Sequence, residues 1–119
     1  MVMNQVIKNG ENIDFKVDSG STWIVNITWT DNNKVPIDLT GYIGRMYLKR
    51  NYNTPIAFQI TTDNLRLTLG NGTIYWNISD ELTSTLSGSY IYDLELQSYQ
   101  GEVTRLFEGS VVFSPEVTK

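Results

Sequence analysis

The sequence contains no cysteine and no histidine. Without cysteine, neither a disulfide nor a thiolate metal site can hold the chain together. Without histidine, the commonest general base and the commonest transition-metal ligand are both missing. No apolar run approaches the ~20 residues that cross a bilayer, so membrane insertion is not expected. The first five residues lack the charged start and apolar core of a signal peptide, which predicts synthesis in the cytosol. Positive charge is also short: nine basic residues stand against thirteen acidic ones, for a net charge of −4. Such a chain is a poor match for phosphate backbones, and nucleic acid is not an expected partner.

What is present is alternation. The 119 residues are read as one domain, 1–119, long enough to bury roughly two-thirds of the unfolded surface. Ile13, Phe15 and Val17 share one face of a first strand. Trp23, Val25, Ile27 and Trp29 share one face of residues 22–30, with Ile24 on the polar side. In residues 42–50, Tyr42, Gly44, Met46 and Leu48 oppose Ile43, Arg45, Tyr47 and Lys49. Ile56, Phe58 and Ile60 line a further strand face, and Leu65, Leu67 and Leu69 another. Gly70-Asn71-Gly72 then signals a hairpin into Ile74, Trp76 and Ile78. Tyr90, Tyr92, Leu94 and Leu96 alternate with Ile91, Asp93, Glu95 and Gln97. The last run, 103–113, carries Gly109 in its middle, which marks a bulge there. Its inward set is open before Gly109; after it, Val111 and Phe113 are the expected core residues.

Turns divide these runs. The most constrained is Val35-Pro36-Ile37-Asp38-Leu39-Thr40-Gly41. Pro36 forces Val35 into an extended conformation, Asp38 and Thr40 can bond back to main chain, and Gly41 accepts a positive φ. Leu39 is expected to close one end of the core. Residues 79–86 are the helix candidate, with Ser79 as N-cap, Asp80 and Glu81 at the positive end, and Leu82 and Leu86 one turn apart. The expectation is an all-β antiparallel sandwich of about seven to nine strands with one short helical turn. Leu86-Ser87-Gly88-Ser89-Tyr90 also fits the tyrosine corner of immunoglobulin-like sandwiches, although Tyr90 can equally be a plain core tyrosine.

Chemistry is hard to place on this chain. No serine or threonine has a histidine to activate it, and Lys16, Lys34 and Lys49 read as solvated. Asp93 and Glu95 stand on one strand face roughly 7 Å apart, a spacing known from glycoside hydrolysis, but no cleft is expected on that outer face. Asp31-Asn32-Asn33 and Asp63-Asn64 carry oxygen ligands without a calcium loop, so they read as turns. No catalytic residue, cofactor or metal is expected. Arg45, Lys49 and Arg50 make one strand basic, and Asp93 and Glu95 make another acidic. These charges either pair across one sheet or meet between subunits. Ile24, Ile43, Tyr47, Tyr75 and Ile91 are outward apolar groups and are the candidates for a protein interface.

Gly20 before residues 23–29, the turn Val35–Gly41, Gly72-Thr73-Ile74, the Leu82/Leu86 turn and Leu86-Ser87-Gly88-Ser89-Tyr90 form one pattern with Glu108-Gly109-Ser110 and the closing Pro115-Glu116-Val117-Thr118. It resembles the immunoglobulin-like domain at the N-terminus of phage baseplate upper proteins and related tail-fibre and virion proteins. The resemblance implies an immunoglobulin-like fold and a non-enzymatic, oligomeric role docking parts of a phage particle, located in the virion. In the family the segment matching 115–118 leads into a linker; the sequence given ends at Lys119, so a small virion protein or adaptor is expected. The alternative is a carbohydrate-binding or host-adhesion module, for which Tyr47, Tyr52, Tyr75 and Tyr99 are the candidate platforms.

Overall fold

The structure, a computed structural model, describes the backbone of residues 2–7 and the whole of residues 11–115. Positions 116–118 of the closing motif lie outside the described residues. In chain order the described residues form β1 (Val2–Ile7), β2 (Glu11–Asn12), β3 (Phe15–Asp18), β4 (Trp23–Trp29), β5 (Ile43–Lys49), β6 (Ile56–Thr61), β7 (Leu67–Leu69), β8 (Thr73–Ile78), helix α1 (Asp80–Thr83), β9 (Gly88–Gln97) and β10 (Val103–Ser114).

Two sheets pack into a sandwich. The smaller runs β1-β4-β8-β7; the larger runs β2-β10-β9-β5-β6, with β3 also on β10. The all-β sandwich expected from alternation is therefore the observed architecture. Its pairing is not antiparallel throughout: β1 joins β4 in parallel, and β2 and β3 join β10 in parallel. The N-terminal segment thus adds first to one sheet's edge and then to the other's. Alternation reports which face a side chain takes, not strand direction, so the parallel additions left no trace in the sequence.

Inward residues of both sheets meet in one core. Trp23, Val25 and Ile27 of β4, Ile74, Trp76 and Ile78 of β8, and Met46, Leu48, Leu94 and Leu96 from the larger sheet are all buried. Aromatic rings fill its centre. Phe15, Trp23, Trp76 and Phe113 meet edge to face, with centroids 5.4 Å apart for Phe15–Trp23 and 5.6 Å for Trp23–Trp76. Such pairs contribute about 0.5–1.5 kcal/mol each beyond their buried area. The indole N–H groups of Trp23 and Trp76 have no acceptor among the described residues, so the pair stabilises through packing alone.

Several local expectations are met. Asp38 Oδ1 accepts from the Thr40 amide at 3.0 Å and its hydroxyl at 2.6 Å. Gly41 has φ +79, and Leu39 is buried. Ser79 caps α1, its hydroxyl accepting from Leu82 N at 3.3 Å. The helix takes only Asp80–Thr83 of residues 79–86, and Thr83, its last residue, staples the β3–β4 turn. Its hydroxyl donates to Ser21 O at 2.7 Å and accepts from Gly20 N at 3.1 Å.

Two local expectations are corrected. Leu65 is not a core residue but 86% exposed, with φ +65 in the β6–β7 turn. The bulge in β10 falls between Arg105 and Phe107, not at Gly109. It turns both Leu106 and Phe107 inward. Of the two readings of Tyr90, the plain core tyrosine is the one observed, and among the described residues its hydroxyl makes no corner bond. Its ring lies under Arg50, 4.1 Å from centroid to guanidinium carbon, and meets Phe113 edge-on. The tyrosine that bonds back to main chain is Tyr92, whose hydroxyl donates to Ile13 O across the sandwich edge.

Candidate functional site

The larger sheet sets its outward residues in rows across β5, β9 and β10. Register aligns Ile43 with Gln97 and Val103, Arg45 with Glu95 and Arg105, Tyr47 with Asp93 and Glu108, and Lys49 with Ile91 and Ser110. The basic and acidic strands are neighbours, so their charges meet within the chain. Arg45 reaches Glu95 at 3.1 Å and donates to Gln97 Oε1 at 3.2 Å. Arg105, displaced by the bulge, reaches diagonally to Asp93 at 3.4 Å and lies 4.0 Å from Glu108. Asp93 is left with acids on two sides. Partial burial, then the charges of Glu95 and Glu108, hold its carboxyl above the usual range against the pull of Arg105.

Gly109 shapes the next row. A Cβ there would stand 2.1 Å from Ile13 O. Its absence lets the β2–β3 corner lie directly on β10, where Ile13 N donates to Glu108 O at 2.8 Å. Asp14 follows and clamps the approach. Its Oδ1 accepts from Ser110 N at 2.9 Å, Ser110 Oγ at 3.2 Å and Asn12 Nδ2 at 3.4 Å. The Ser110 amide, then its hydroxyl, hold the Asp14 carboxyl below the usual range. Burial, with the charges of Asp14 and Glu108, raises the Tyr92 hydroxyl and keeps it a donor.

Two grooves result on this face. One, of about 590 Å³, runs between the β2–β3 corner and the β5–β6 loop, over Tyr47, Ile91, Asp93, Glu95, Glu108 and Gly109. The other, of about 530 Å³, lies over Ile43, Arg45, Tyr47 and Thr61. Tyr47 lines both. The expectation that no cleft accompanies Asp93 and Glu95 is corrected. Alternation is blind to a corner that arrives from ninety-odd residues away, and the strand glycine at 109 was the available signal for a close approach. Among the described residues no group of acidic side chains is arranged to hold a metal.

The smaller sheet presents a different face. The outward residues of β4, β8 and β7 are Ile24, Asn26 and Thr28, then Thr73, Tyr75 and Asn77, then Thr68. None is charged. The five interface candidates therefore divide. Ile43, half exposed, Tyr47 and Ile91 share the larger sheet, while Ile24 and Tyr75 lie on the opposite side of the sandwich. The four tyrosines divide as well: Tyr47 and Tyr52 line one groove, Tyr75 lies on the smaller sheet, and Tyr99 follows β9.

One rim is closed. Asn64 imitates a strand along the free edge of β6: its Oδ1 accepts from Thr61 N at 3.1 Å and its Nδ2 donates to Gln59 O at 3.1 Å. Arg66 adds a bond to Gln59 O at 2.9 Å. Side chains that occupy an edge in this way block strand addition there.

The architecture is thus that of an all-β sandwich with two unlike outer faces. No family model matches the chain, and no curated protein matches it. Among solved structures it is similar to the N-terminal domain of phage TP901-1 ORF48, with a TM-score of 0.47 and 13% identity, over 94% of this chain and 99% of that chain. No helix among the described residues is long and apolar enough to cross a membrane.

Proposed function

We propose that this chain is a non-enzymatic structural component of a bacteriophage particle, at the tail, baseplate or a fibre attachment. It assembles there with copies of itself and with neighbouring virion proteins. The sequence pattern that resembles phage baseplate domains supplies the class of particle, and its glycines serve the turns that pattern requires: Gly20, Gly41, Gly72 and Gly88 all have positive φ. The observation that carries the assembly reading is the smaller sheet's outer face. A chain with nine basic and thirteen acidic residues places none of them at the outward positions of β4, β7 and β8. Depletion of charge beside an aromatic is the compositional mark of an interface core. The capped β6 edge directs partners to faces rather than to that rim.

A hydrolytic reading is less well supported. Asp93 and Glu95 stand side by side on β9, two residues apart on the same face. A bond to be cleaved needs carboxyls on either side of it. Arg45 and Arg105 also engage the two groups.

The test is sedimentation of the purified chain, alone and with the other proteins of its particle. Assembly is expected, and Tyr75→Lys with Asn77→Lys is expected to abolish it while the far-ultraviolet spectrum stays unchanged. A chain that sediments as a monomer and binds no particle component overturns the reading.

A further inference from the structure

The groove between the β2–β3 corner and the β5–β6 loop has a chemistry of its own, independent of assembly. Its volume, about 590 Å³, falls in the range of small-molecule sites. Four carboxylates line it against one lysine, Lys49. That balance disfavours phosphate, sulfate or carboxylate ligands. Ile91 is its one aliphatic side chain, so a greasy ligand finds little to cover. What remains fits a molecule with many hydroxyls and an apolar ring face. Carboxylates accept hydroxyl hydrogen bonds at several lone pairs each, and a tyrosine ring packs against the C–H face of a ring.

The groove supplies both kinds of group in fixed positions. Tyr52 is 81% exposed and stands at its rim. The loop beneath it is stiffened by short bonds: Asn53 N donates to Asn51 Oδ1 at 3.0 Å, Asn51 N to Thr54 Oγ1 at 3.1 Å, and Thr54 Oγ1 to Asn51 O at 3.0 Å. An exposed aromatic on a loop already held in place loses little freedom on binding. Tyr47 offers a second ring from β5 on the same side. Across the groove, Glu108 is only loosely engaged, 4.0 Å from Arg105. Asp14 commits one oxygen to Ser110 and Asn12, and its Oδ2 takes no part in those bonds.

We propose that this groove is a saccharide site, in which Tyr52 and Tyr47 pack against the face of a neutral sugar ring while Asp93, Glu108 and Asp14 accept its hydroxyls. The occupant is a neutral oligosaccharide of a few rings, held by the full chain without any partner.

Amide-resolved NMR titration of the full chain with maltotriose, cellotriose and triacetylchitotriose tests the assignment. At least one of these sugars is expected to shift the amides of Tyr47, Tyr52, Ile91 and Ser110 with a dissociation constant on the order of 1 mM or tighter. Tyr52→Ala is expected to weaken that binding about tenfold, and Glu108→Gln to weaken it less. Tyr75→Ala, on the opposite face, leaves it unchanged. The same spectra report whether each variant is folded. An oligoarginine peptide and a sulfated trisaccharide are titrated alongside. No shift with any neutral sugar, shifts away from the groove, insensitivity to Tyr52→Ala in a folded variant, or engagement by oligoarginine alone would each overturn the proposal.

Discussion

The two outer faces of the sandwich use the same strand geometry for opposite ends. On the larger sheet, outward side chains are spent on one another. Arg45 holds Glu95, Arg105 reaches Asp93, and Asp14 ties the β2–β3 corner to Ser110. On the smaller sheet, the outward residues of β4, β7 and β8 carry no charge and form rows of Asn, Thr, Ile and Tyr. A face of the first kind contributes to the fold and responds to pH and salt. A face of the second kind has no ion pairs of its own to lose, which is why the proposed assembly is assigned to it.

The largest effect is expected at Gly109, under the charged face. Gly109→Ala places a Cβ 2.1 Å from a backbone oxygen, Ile13 O. Main chain cannot swing aside as a side-chain tip does, so the β2–β3 corner has to lift. The Tyr92 bond and the Asp14 clamp go with it. A loss of about 3 kcal/mol or more is expected in urea denaturation. Gly101→Ala is the control. Unlike Gly109 it has a positive φ, +92, but it meets nothing within 4 Å, so its cost is about 1–2 kcal/mol of backbone strain. Equal losses would refute the close approach.

Tyr92→Phe comes next. It keeps the ring against Phe15 and Phe107 and removes the donor to Ile13 O. Leaving that carbonyl buried without a donor costs about 1–3 kcal/mol. The pH dependence has a defined sign. Burial first, then Asp14 and Glu108, raises the folded-state hydroxyl above its ordinary value. The folded state therefore holds this proton longer than the unfolded chain, and the wild type loses stability as pH rises beyond about 10. The phenylalanine variant lacks that contribution, so the gap between the two should narrow in alkaline solution.

Much of this molecule is legible in its sequence. Alternation located the core faces of Trp23, Val25, Ile27, Ile74, Trp76, Ile78, Leu94 and Leu96, all buried. Turn chemistry located Asp38, Gly41 and Gly72, and Ser79 marked the helix start. The groove was not legible, because its walls come from residues 12–14 and 108–110, brought together only by folding. Leu65 misled because its neighbours Leu67 and Leu69 alternate with it, whereas its own backbone takes the left-handed turn. The bulge was signalled by adjacent Leu106 and Phe107, which cannot both point inward on a regular strand. Strand β1 was missed because Val2-Met3-Asn4-Gln5-Val6-Ile7 has no clean apolar–polar alternation.

Within the charged face, the carboxyls of Asp93 and Asp14 are displaced in opposite directions. Asp93 is raised, chiefly by burial and then by Glu95. Its folded state favours the proton, so its ionisation weakens the fold as pH climbs above the unfolded value of 3.8. Asp93→Asn should stabilise at neutral pH, and the gain should vanish as pH falls to the unfolded value. The gain stays under about 1 kcal/mol because the side chain is 39% exposed and screened, and the Arg105 contact is lost. Asp14 is lowered, chiefly by the Ser110 amide. Asp14→Asn should therefore destabilise above the ordinary carboxyl value of 3.8, and that loss should disappear as pH falls below it. Thermal melts across pH that moved in the same direction for both variants would break the account.

The smallest effects come from one substitution made on each face. Tyr47→Lys sets an ammonium opposite Asp93 in the sheet register. There it offsets part of the crowding by Glu95 and Glu108, a gain of about 0.2–1 kcal/mol. Tyr75→Lys meets only Asn26 and Thr68 in its row, so the isolated chain should change by less than about 0.5 kcal/mol. Salt separates the two. At 1 M, where the screening length shrinks to about 3 Å, the Tyr47→Lys gain should fade, and Tyr75→Lys should still match the wild type. A salt-dependent change at Tyr75 would mean that charge reaches the smaller sheet's outer face. That face would then have no claim to be the neutral surface reserved for a partner.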